Sequence, residues 1–405
     1  MSSNNRDIVA DTLLKLENTV FLNREVLRPD YIPESLPHRE EQIRQLTSVL
    51  APLLKGERPS NVFIYGLTGT GKTAVVKYVL RRLEEYGRGF GSRGFFSCYI
   101  NCRNDDTTYR VMASLVETLG GRVPFTGLST AEVFRRFKNR LESLGRVMII
   151  VLDEIDSLVS RAGDELLYRL TRVNDELSRS KVSVIGITND VKFMEKLDPR
   201  VKSSLSEVEL VFPPYDAIQL SDILRERAAK AFKPGVLDEG VIEYCASVAA
   251  KEHGDARRAL DLLRVAGEIA ERLGDRVVKV EHVVKAREEI ERDMVIDVVK
   301  TLPQHSKLVL LAIALAGGRF DSTGDLYVSY RELVKALGSE PVTQRRVSDI
   351  VSELEMLGLV TAKVVNRGRY GKTRQISLAT DYNTMVKALS DDARIASLVK
   401  NYRGR

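Results

Sequence analysis

Two short stretches of this chain carry residue types that bind phosphate and metal. Gly66, Gly71, Lys72 and Thr73 match the pattern G-x-x-x-x-G-K-[S/T] within GLTGTGKT. In that pattern, glycines let backbone N–H groups turn toward phosphates at a helix N-terminus. The lysine reaches the β- and γ-phosphates and the threonine hydroxyl binds Mg²⁺. The loop therefore predicts an ATP or ADP site with Mg²⁺, and its expected contacts are Gly66, Thr68, Gly69, Thr70, Gly71, Lys72, Thr73 and Ala74.

The acidic pair Asp153 and Glu154 ends the apolar run of VMIIVLDEID, about eighty residues after the glycine loop. We expect Asp153 to join Thr73 in binding Mg²⁺, and Glu154 to polarise the attacking water. Asn189 ends a second apolar run, KVSVIGITND. It is a candidate for orienting that water or sensing the γ-phosphate, with a simple turn residue as the alternative.

Two arginines are suited to the charge that builds on a transferred phosphoryl group. Arg200 follows an X-Pro turn in LDPRVKSSL, and Arg257 lies near the start of a helical pattern in HGDARRALDLL. Elsewhere an exposed arginine is usually only a solvated cation, so both assignments depend on the phosphate site.

The elements that must position these residues are visible in the apolar pattern. Val62 to Tyr65 reads as a buried strand, and a helix is predicted from about Gly71 to Glu85. The runs before Asp153 and Asn189 are typical of strands buried on both faces of a parallel sheet. A further strand is expected near Val208 to Phe212. Pro213-Pro214 ends it, and four segments with helical spacing follow.

In this order and spacing, GLTGTGKT, VLDEID, GITND, LDPRVKSSL and GDARRAL resemble the motifs of AAA+ ATPases. The chain looks most like the archaeal replication initiators related to the origin-recognition complex and the cell-division-control helicase loaders. PHREEQI, from Pro37, belongs to the same pattern, and the resemblance covers nearly the whole chain. It implies an α/β fold, in which a P-loop ATPase with a five-stranded parallel sheet and a helical lid precedes a winged helix-turn-helix.

The resemblance also implies roles for single residues. Asn189 would be sensor one, Arg257 sensor two and Arg200 the arginine of the box-seven motif. Arg39, with the segment from Tyr31 to Pro37 before it, would lie near the adenine, although His38 and Arg39 also read as an ordinary helix start. Tyr215 is a further expected nucleotide contact.

The C-terminal region reads as a winged helix-turn-helix and is basic. Residues 302–405 contain sixteen Lys and Arg against ten Asp and Glu, whereas the rest of the chain is neutral. Three helical segments precede two strand-like ones, VTAKVV and RQISLA, joined by NRGRYGKT. We expect the third helix to read a major groove and the loop to follow phosphates or a minor groove. The DNA-binding candidates are Thr343, Gln344, Arg345, Arg346 and Ser348 on the helix, and Arg367, Arg369, Tyr370, Lys372 and Arg374 in or beside the loop.

Two alternatives remain open for this region. Tyr370 fits a packing contact at the base of the wing as well as a DNA contact, and the winged helix fits a protein-docking module. Between Asn101 and Leu141 the sequence adds an extra helical segment at the position where the family has its initiator-specific insertion. Arg103, Arg110 and Arg122 are the candidates there for a second DNA contact, and each also fits an ordinary surface residue.

Composition limits the remaining possibilities. The apolar fraction of 43% and charged fraction of 29% are those of a soluble globular protein. Because there is no apolar run long enough to span a bilayer, we expect no membrane association. Cys98, Cys102 and Cys245 form no metal-binding spacing and read as reduced thiols, so the expected location is cytoplasmic, on the nucleoid.

These observations predict three domains: a P-loop AAA+ core with an N-terminal extension (1–212), a helical lid (213–300) and a winged-helix DNA-binding domain (301–405). Together they indicate a DNA-binding protein controlled by slow, switch-like ATP hydrolysis. The resemblance implies an initiator of chromosomal replication that binds origin elements on double-stranded DNA, beside paralogous initiators, and helps recruit the replicative helicase. The alternatives are an ATP-regulated transcription regulator and a clamp-loader or motor ATPase whose winged helix docks protein.

Overall fold

The computed structural model describes residues 20–89, 94–124, 127–366 and 372–402. The chain divides into two compact units, one ending at Val283 and the other beginning at Val284. Each unit has its own apolar core.

A five-stranded parallel sheet organises the first unit, with the strand order β2-β3-β4-β1-β5. Because all five strands run in the same direction, the residues that follow β1, β3 and β4 meet at one edge of the sheet. This confirms the predicted parallel sheet of five strands. The strands are β1 (Val62–Gly66), β2 (Phe96–Asn101), β3 (Val147–Asp153), β4 (Lys181–Thr188) and β5 (Val208–Phe212).

The uninterrupted apolar run in β3 follows from its central position. All seven of its residues are buried. Ile150 and Leu152 pack into the core on one face of the sheet, whereas Ile149 and Val151 pack into the core on the other. Burying a side chain of this size contributes about 1.5–3 kcal/mol. The strand is therefore held from both faces, and Asp153 at its end is fixed in position.

Helices cover both faces of the sheet and then form the lid. Two of them, Thr108–Thr118 and Thr130–Leu144, lie between β2 and β3, where the sequence predicts an extra helical segment. The others in or beside the sheet layer are Glu40–Leu50, Lys72–Gly89, Ile155–Ala162, Glu165–Arg172 and Pro199–Leu205. Short 3₁₀ segments occupy Arg24–Leu27, Ala51–Lys55, Val173–Glu176 and Phe193–Lys196.

Beyond β5 the chain is helical, as the sequence predicts. Asp216 begins the first lid helix with a capping box, in which its side chain accepts the N–H of Gln219 and Gln219 accepts the N–H of Asp216. Gly274 ends the third helix in the left-handed conformation. The helices are Ala217–Ala231, Val241–Lys251, Ala256–Leu273 and Val280–Thr301.

The second unit is a winged helix. Its three helices precede an antiparallel hairpin, and a short third strand gives the order β6-β8-β7. Two further helices, Tyr382–Ser390 and Ala393–Tyr402, follow the hairpin and are not part of the sequence-based prediction. The other elements are helices Gln304–Leu315, Thr323–Ala336 and Gln344–Met356, with β6 (Arg319–Phe320), β7 (Val360–Asn366) and β8 (Lys372–Leu378).

The buried side chain of Tyr330 fixes the approach to the third of these helices. Its hydroxyl accepts the N–H of Val342 at 3.2 Å and shares a hydrogen bond with Nδ1 of His305 at 2.7 Å. Thr343 then caps the helix by accepting the N–H of Arg346. In the described part of the chain, none of the helices is both apolar enough and long enough to cross a membrane.

Candidate functional site

Lys72 is the central cation of the loop between β1 and the helix Lys72–Gly89. Its side chain is buried, and Nζ donates to the carbonyls of Gly66 at 2.8 Å and Leu67 at 2.7 Å and to Oδ1 of Asn189 at 2.7 Å. Burial lowers the pKa of Lys72 to about 8, while the nearby Asp153 opposes that shift. Lys72 and Asn189, predicted separately, are therefore in direct contact.

Close contacts with neighbouring segments explain two of the loop glycines. A Cβ on Gly66 would lie 2.3 Å from the carbonyl oxygen of Phe212 in β5. Gly69 has φ +71°, and a Cβ there would lie 1.7 Å from Oδ1 of Asp255 in the lid. Gly66 thus permits strand pairing, and Gly69 permits the lid to reach the loop.

An oxygen pair suited to Mg²⁺ lies next to Lys72. The Thr73 hydroxyl donates to Oδ2 of Asp153 at 2.6 Å, and the Tyr99 hydroxyl donates to the same oxygen at 2.7 Å. Burial first, and then the adjacent Asp153 carboxylate, raise the pKa of Tyr99. Among the described residues, no group of three or more Asp, Glu, His or Cys side chains is arranged to hold a metal ion. One carboxylate and one hydroxyl fit Mg²⁺, because that ion completes its shell with substrate phosphates and water.

Glu154 follows Asp153 and lines the same cavity. Its backbone is in the left-handed region with φ 53°, an uncommon conformation for a residue other than glycine. Such local strain is found at functional sites, where the surrounding structure holds it in place. The position of Glu154 beside the Thr73–Asp153 pair is compatible with its expected role as the base.

The lid touches the glycine loop directly. Asp255 caps the helix Ala256–Leu273, and the N–H of Ala256 donates to the carbonyl of Gly69 at 3.2 Å. The exposed Arg257 then lines the cavity, close enough to Lys72 to act on its pKa. The structure therefore brings the predicted sensor-two arginine to the phosphate end of the cavity.

Arg39 has a different environment from the one expected of an adenine contact. Its side chain is only 2% exposed, and it is absent from the residues that line the cavity. It donates to the carbonyls of Thr70 at 2.9 Å and Pro213 at 2.7 Å. Its guanidinium carbon stacks 3.7 Å from the ring centre of Tyr215, which does line the cavity. Arg39 therefore joins the glycine loop to the start of the lid without itself lining the cavity.

The remaining predicted nucleotide residues are placed as follows. Gly69, Thr70, Gly71, Lys72, Thr73 and Ala74 line the cavity, whereas Gly66 and Thr68 lie outside its lining. Arg200 is also outside that lining. It is exposed and forms a two-pronged ion pair with Asp198, at 2.9 and 3.0 Å, which holds the pKa of Asp198 down to about 2.

The far end of the cavity combines the segment from Tyr31 to Pro37, which the resemblance places near the adenine, with lid residues that sequence reasoning missed. The loop 29–37 forms one wall, and the lid helices Ala217–Ala231 and Ala256–Leu273 form the other. The cavity opens to solvent between these two walls. The lid residues that line this end are Ile223, Glu226, Arg227 and Leu260. Helical spacing in the sequence gives no signal for them, because only packing decides which turn of a lid helix faces the loop.

The predicted DNA-binding residues on the third helix of the second unit are at or near its exposed N-terminus. Gln344 and Arg345 are exposed, and Arg346 forms an ion pair with Glu353 at 2.8 Å. Thr343 is the cap, and Ser348 is partly buried.

Only part of the wing can be placed. Arg374 donates to the Ser352 hydroxyl at 2.7 Å, so it fixes β8 against the helix. Arg367, Arg369 and Tyr370 lie outside the described residues, as does the side chain of Lys372.

The three arginines of the insertion are all exposed. Arg110 pairs with Asp106 at 3.0 Å. Arg103 lies directly after β2, and its N–H donates to Asn101 at 2.9 Å. Arg122 follows the helix Thr108–Thr118. Their assignment to a second DNA contact stays a prediction.

A buried lysine held between two parallel strands, with a lid arginine directed to the same cavity, defines the class: this protein is an AAA+ ATPase. Residues 55–191 match the AAA domain family, 221–288 the Cdc6 AAA+ ATPase-type lid domain, and 297–388 the CDC6 C-terminal winged helix domain. The chain is 58% identical to ORC1-type DNA replication protein 1 of Sulfurisphaera tokodaii, over 96% of this chain and 98% of that protein. It belongs to the family of ORC1-type DNA replication proteins.

Other relatives agree with this placement. ORC1-type DNA replication protein 1 of Aeropyrum pernix is 58% identical over 95% of this chain and 98% of its own length. The solved structure of the Aeropyrum pernix ORC1 protein in complex with DNA has a TM-score of 0.83, covering 93% of this chain and 98% of that one. The Aeropyrum pernix ORC2 protein, solved as ADPNP–ADP complexes, has a TM-score of 0.61 at 25% identity, covering 93% of this chain and 99% of that one.

Replacing Lys72 with alanine should weaken ADP binding by on the order of 100-fold, because the phosphates lose their charge-assisted contact. Isothermal titration of the full chain measures this affinity. The fold should persist, since Gly66, Leu67 and Asn189 are near the cavity and water can replace the ammonium. An unchanged ADP affinity would show that Lys72 does not contact the phosphates.

The pH dependence gives a second readout for the same lysine. Because burial lowers the pKa of Lys72 to about 8, the unliganded side chain loses its proton as pH rises through that value. Bound phosphate needs the proton, so ADP affinity of the wild type should be highest below pH 8 and should fall above it.

Replacing Arg39 with lysine should destabilise the unliganded protein by about 2 kcal/mol, because lysine cannot reach both the Thr70 and Pro213 carbonyls. Denaturant unfolding without nucleotide measures this effect, with Arg44→Lys on the exposed side of the helix Glu40–Leu50 as the matched control. If Arg39 acted only by touching adenine, stability without ligand would stay at the wild-type value and only nucleotide affinity would fall.

Proposed function

We propose that this DNA replication protein is an ATP-controlled initiator, which binds origin elements on double-stranded DNA and helps recruit the replicative helicase. The observation that carries the proposal is the union, in one chain, of a complete nucleotide cavity and a winged helix with an exposed cationic helix start. A relative that is 58% identical was solved in complex with DNA, which supports the DNA-binding part.

ATP hydrolysis would use the residues of the cavity in the following way. Lys72 exchanges its contacts with Gly66 and Leu67 for phosphate oxygens, and the loop N–H groups surround the phosphates. Glu154 accepts a proton from water as the water oxygen bonds to the γ-phosphorus, and the bond to the β–γ bridging oxygen breaks. Thr73 and Asp153 would hold Mg²⁺, which neutralises phosphate charge when bound. The products are ADP and inorganic phosphate.

Nucleotide state would control the lid. Asp255 and Ala256 touch Gly69, so the lid position depends on the loop that holds the phosphates. Arg200 is exposed and outside its own cavity, which favours a role at the site of a neighbouring subunit. A lone monomer, lacking that arginine, would hydrolyse ATP slowly. Paralogous initiators on adjacent DNA sites are candidate neighbours, on the nucleoid in the cytoplasm.

DNA recognition would divide between the two parts of the winged helix. Gln344 and Arg345 can reach base edges from the helix start, and the basic loop can follow phosphates. Arg374 stabilises the arrangement of helix and wing through Ser352 and so contributes indirectly.

The test of this proposal is to select bound fragments from a shotgun library of the host genome, at controlled salt, with ATP and with ADP. A few enriched repeats clustered at one or two loci would support an origin initiator. Enrichment at many promoters would favour a transcription regulator. Enrichment no better than random DNA at physiological salt would overturn sequence-specific recognition and leave a protein-docking ATPase.

Glu154→Gln should retain ATP binding while lowering the single-turnover hydrolysis rate by about 10²–10⁴-fold, because glutamine cannot accept the proton. Radiolabelled phosphate release measures the rate, and titration measures affinity. Glu165→Gln, on an exposed helix start of the same unit, is the control. Hydrolysis at the wild-type rate in Glu154→Gln would reassign the base.

Arg345→Ala should weaken binding to the selected repeats by about 1–3 kcal/mol and relax specificity at one base position. Neutralising Arg367, Arg369 and Lys372 should instead weaken all sequences similarly and reduce the slope of log affinity against log salt. Lys387→Ala, on the exposed side of a later helix, is the control. An unchanged slope of log affinity against log salt in the triple variant would show that the phosphate contacts lie outside the wing.

A further inference from the structure

The described N-terminal segment is bonded to the lid. The N–H groups of Leu22 and Asn23 donate to the carbonyl of Ala231, at 2.8 and 3.1 Å. The backbone N–H of Lys233 donates to the carbonyl of Val20 at 3.0 Å. The rings of Phe21 and Phe232 lie 4.6 Å apart. These contacts join residues 20–23 to the end of the lid helix Ala217–Ala231.

A second lid helix holds the same segment. Glu271 accepts the N–H of Val20 at 3.0 Å and forms an ion pair with Arg24 at 3.0 Å. Gly267 leaves room for the aromatic ring, since a Cβ there would lie 2.4 Å from Phe21. The segment is therefore packed into the lid by shape as well as by hydrogen bonds.

Arg227 continues this attachment to the wall of the nucleotide cavity. Its side chain is only 8% exposed, and it donates to the carbonyls of Val26 at 2.8 Å and Tyr31 at 3.3 Å. The guanidinium carbon also lies 4.6 Å from the ring centre of Tyr31. A planar guanidinium can serve two carbonyls and an aromatic face together, which an ammonium cannot.

The loop 29–37, which begins beside these contacts, forms one wall of the cavity. It has no helix or strand, and its residues Pro29, Pro33 and Pro37 have no N–H to donate. At its other end Arg39 is bonded to the glycine loop. The loop is thus anchored by one buried arginine at each end.

We propose that Arg227 is a positioning residue for the nucleobase: it holds residues 26–31 on the lid, so that the loop 29–37 forms the wall against which a purine packs. This inference rests on the proposed nucleotide site and assigns its two ends to different parts of the unit. The phosphates bind the glycine loop beside the sheet, and the base binds a wall carried by the lid. A nucleotide then contacts both the glycine loop and the loop 29–37, whereas a polyphosphate without a base has no contact with the loop 29–37.

The test compares ADP with tripolyphosphate, using isothermal titration of the full chain. Arg227→Lys keeps the charge but loses the two-carbonyl geometry, so ADP affinity should fall about tenfold while tripolyphosphate affinity stays within about twofold. Arg225→Lys is the matched control. It lies two residues away on the same helix, is exposed, and pairs with Asp222 and Glu243, so neither affinity should change.

Two results would overturn the proposal: wild-type ADP affinity in Arg227→Lys, or an equal loss for ADP and tripolyphosphate. If Arg227→Lys does not fold, Glu271→Ala provides the second test, because it releases Val20 and Arg24 far from the cavity. ADP affinity should then fall about threefold and tripolyphosphate affinity should persist, and an unchanged ADP affinity would count against the proposal. Failure of the wild type to bind either probe would instead contradict the nucleotide site itself.

Discussion

The guanidinium of Arg39 occupies the place where three parts of the ATPase unit meet. It donates to Thr70 in the glycine loop and to Pro213 at the exit from β5, and it stacks on Tyr215 where the lid begins. A buried cation is stable only where its donors are satisfied, so these three segments cannot separate without a cost of several kcal/mol. The geometry of the glycine loop and the starting position of the lid are therefore set together.

The phosphate end of the cavity is built on an electrostatic balance. Lys72 is buried, which disfavours its charge, and three oxygen acceptors together with Asp153 offset that cost. These acceptors are themselves fixed, since Gly66 ends β1 and Asn189 follows β4, both of which are buried strands of the sheet. A phosphate group can replace the carbonyl acceptors without moving the strands. The rigid sheet thus presents a cation whose partners are exchangeable, while the lid supplies Arg257 from the other side.

The lid has two contacts with the nucleotide cavity that differ in chemistry. At the phosphate end, the N–H of Ala256 donates to the carbonyl of Gly69, and the side chain of Asp255 lies against the same glycine. At the other end, Arg227 carries the N-terminal segment and its proline-rich loop. The binding free energy of a ligand that spanned both ends would act on the lid position. This gives a physical basis for a switch in which the nucleotide state is read as an arrangement of helices.

The sequence by itself determined the parallel sheet, the glycine loop, the residues at the strand ends and the winged helix. These follow from local patterns: apolar runs that only a doubly covered strand explains, glycines at fixed spacing and helical periodicity in the last hundred residues. The tertiary structure decided which side chains face the cavity. Arg39 reads as a ligand contact in the sequence but is buried behind the loop, whereas Arg227 has no motif and lies at the cavity wall. Arg374 reads as a wing cation but bonds to Ser352. An arginine has the same helix propensity and charge in all three positions, so only the segments packed around it determine whether it meets ligand, backbone or solvent.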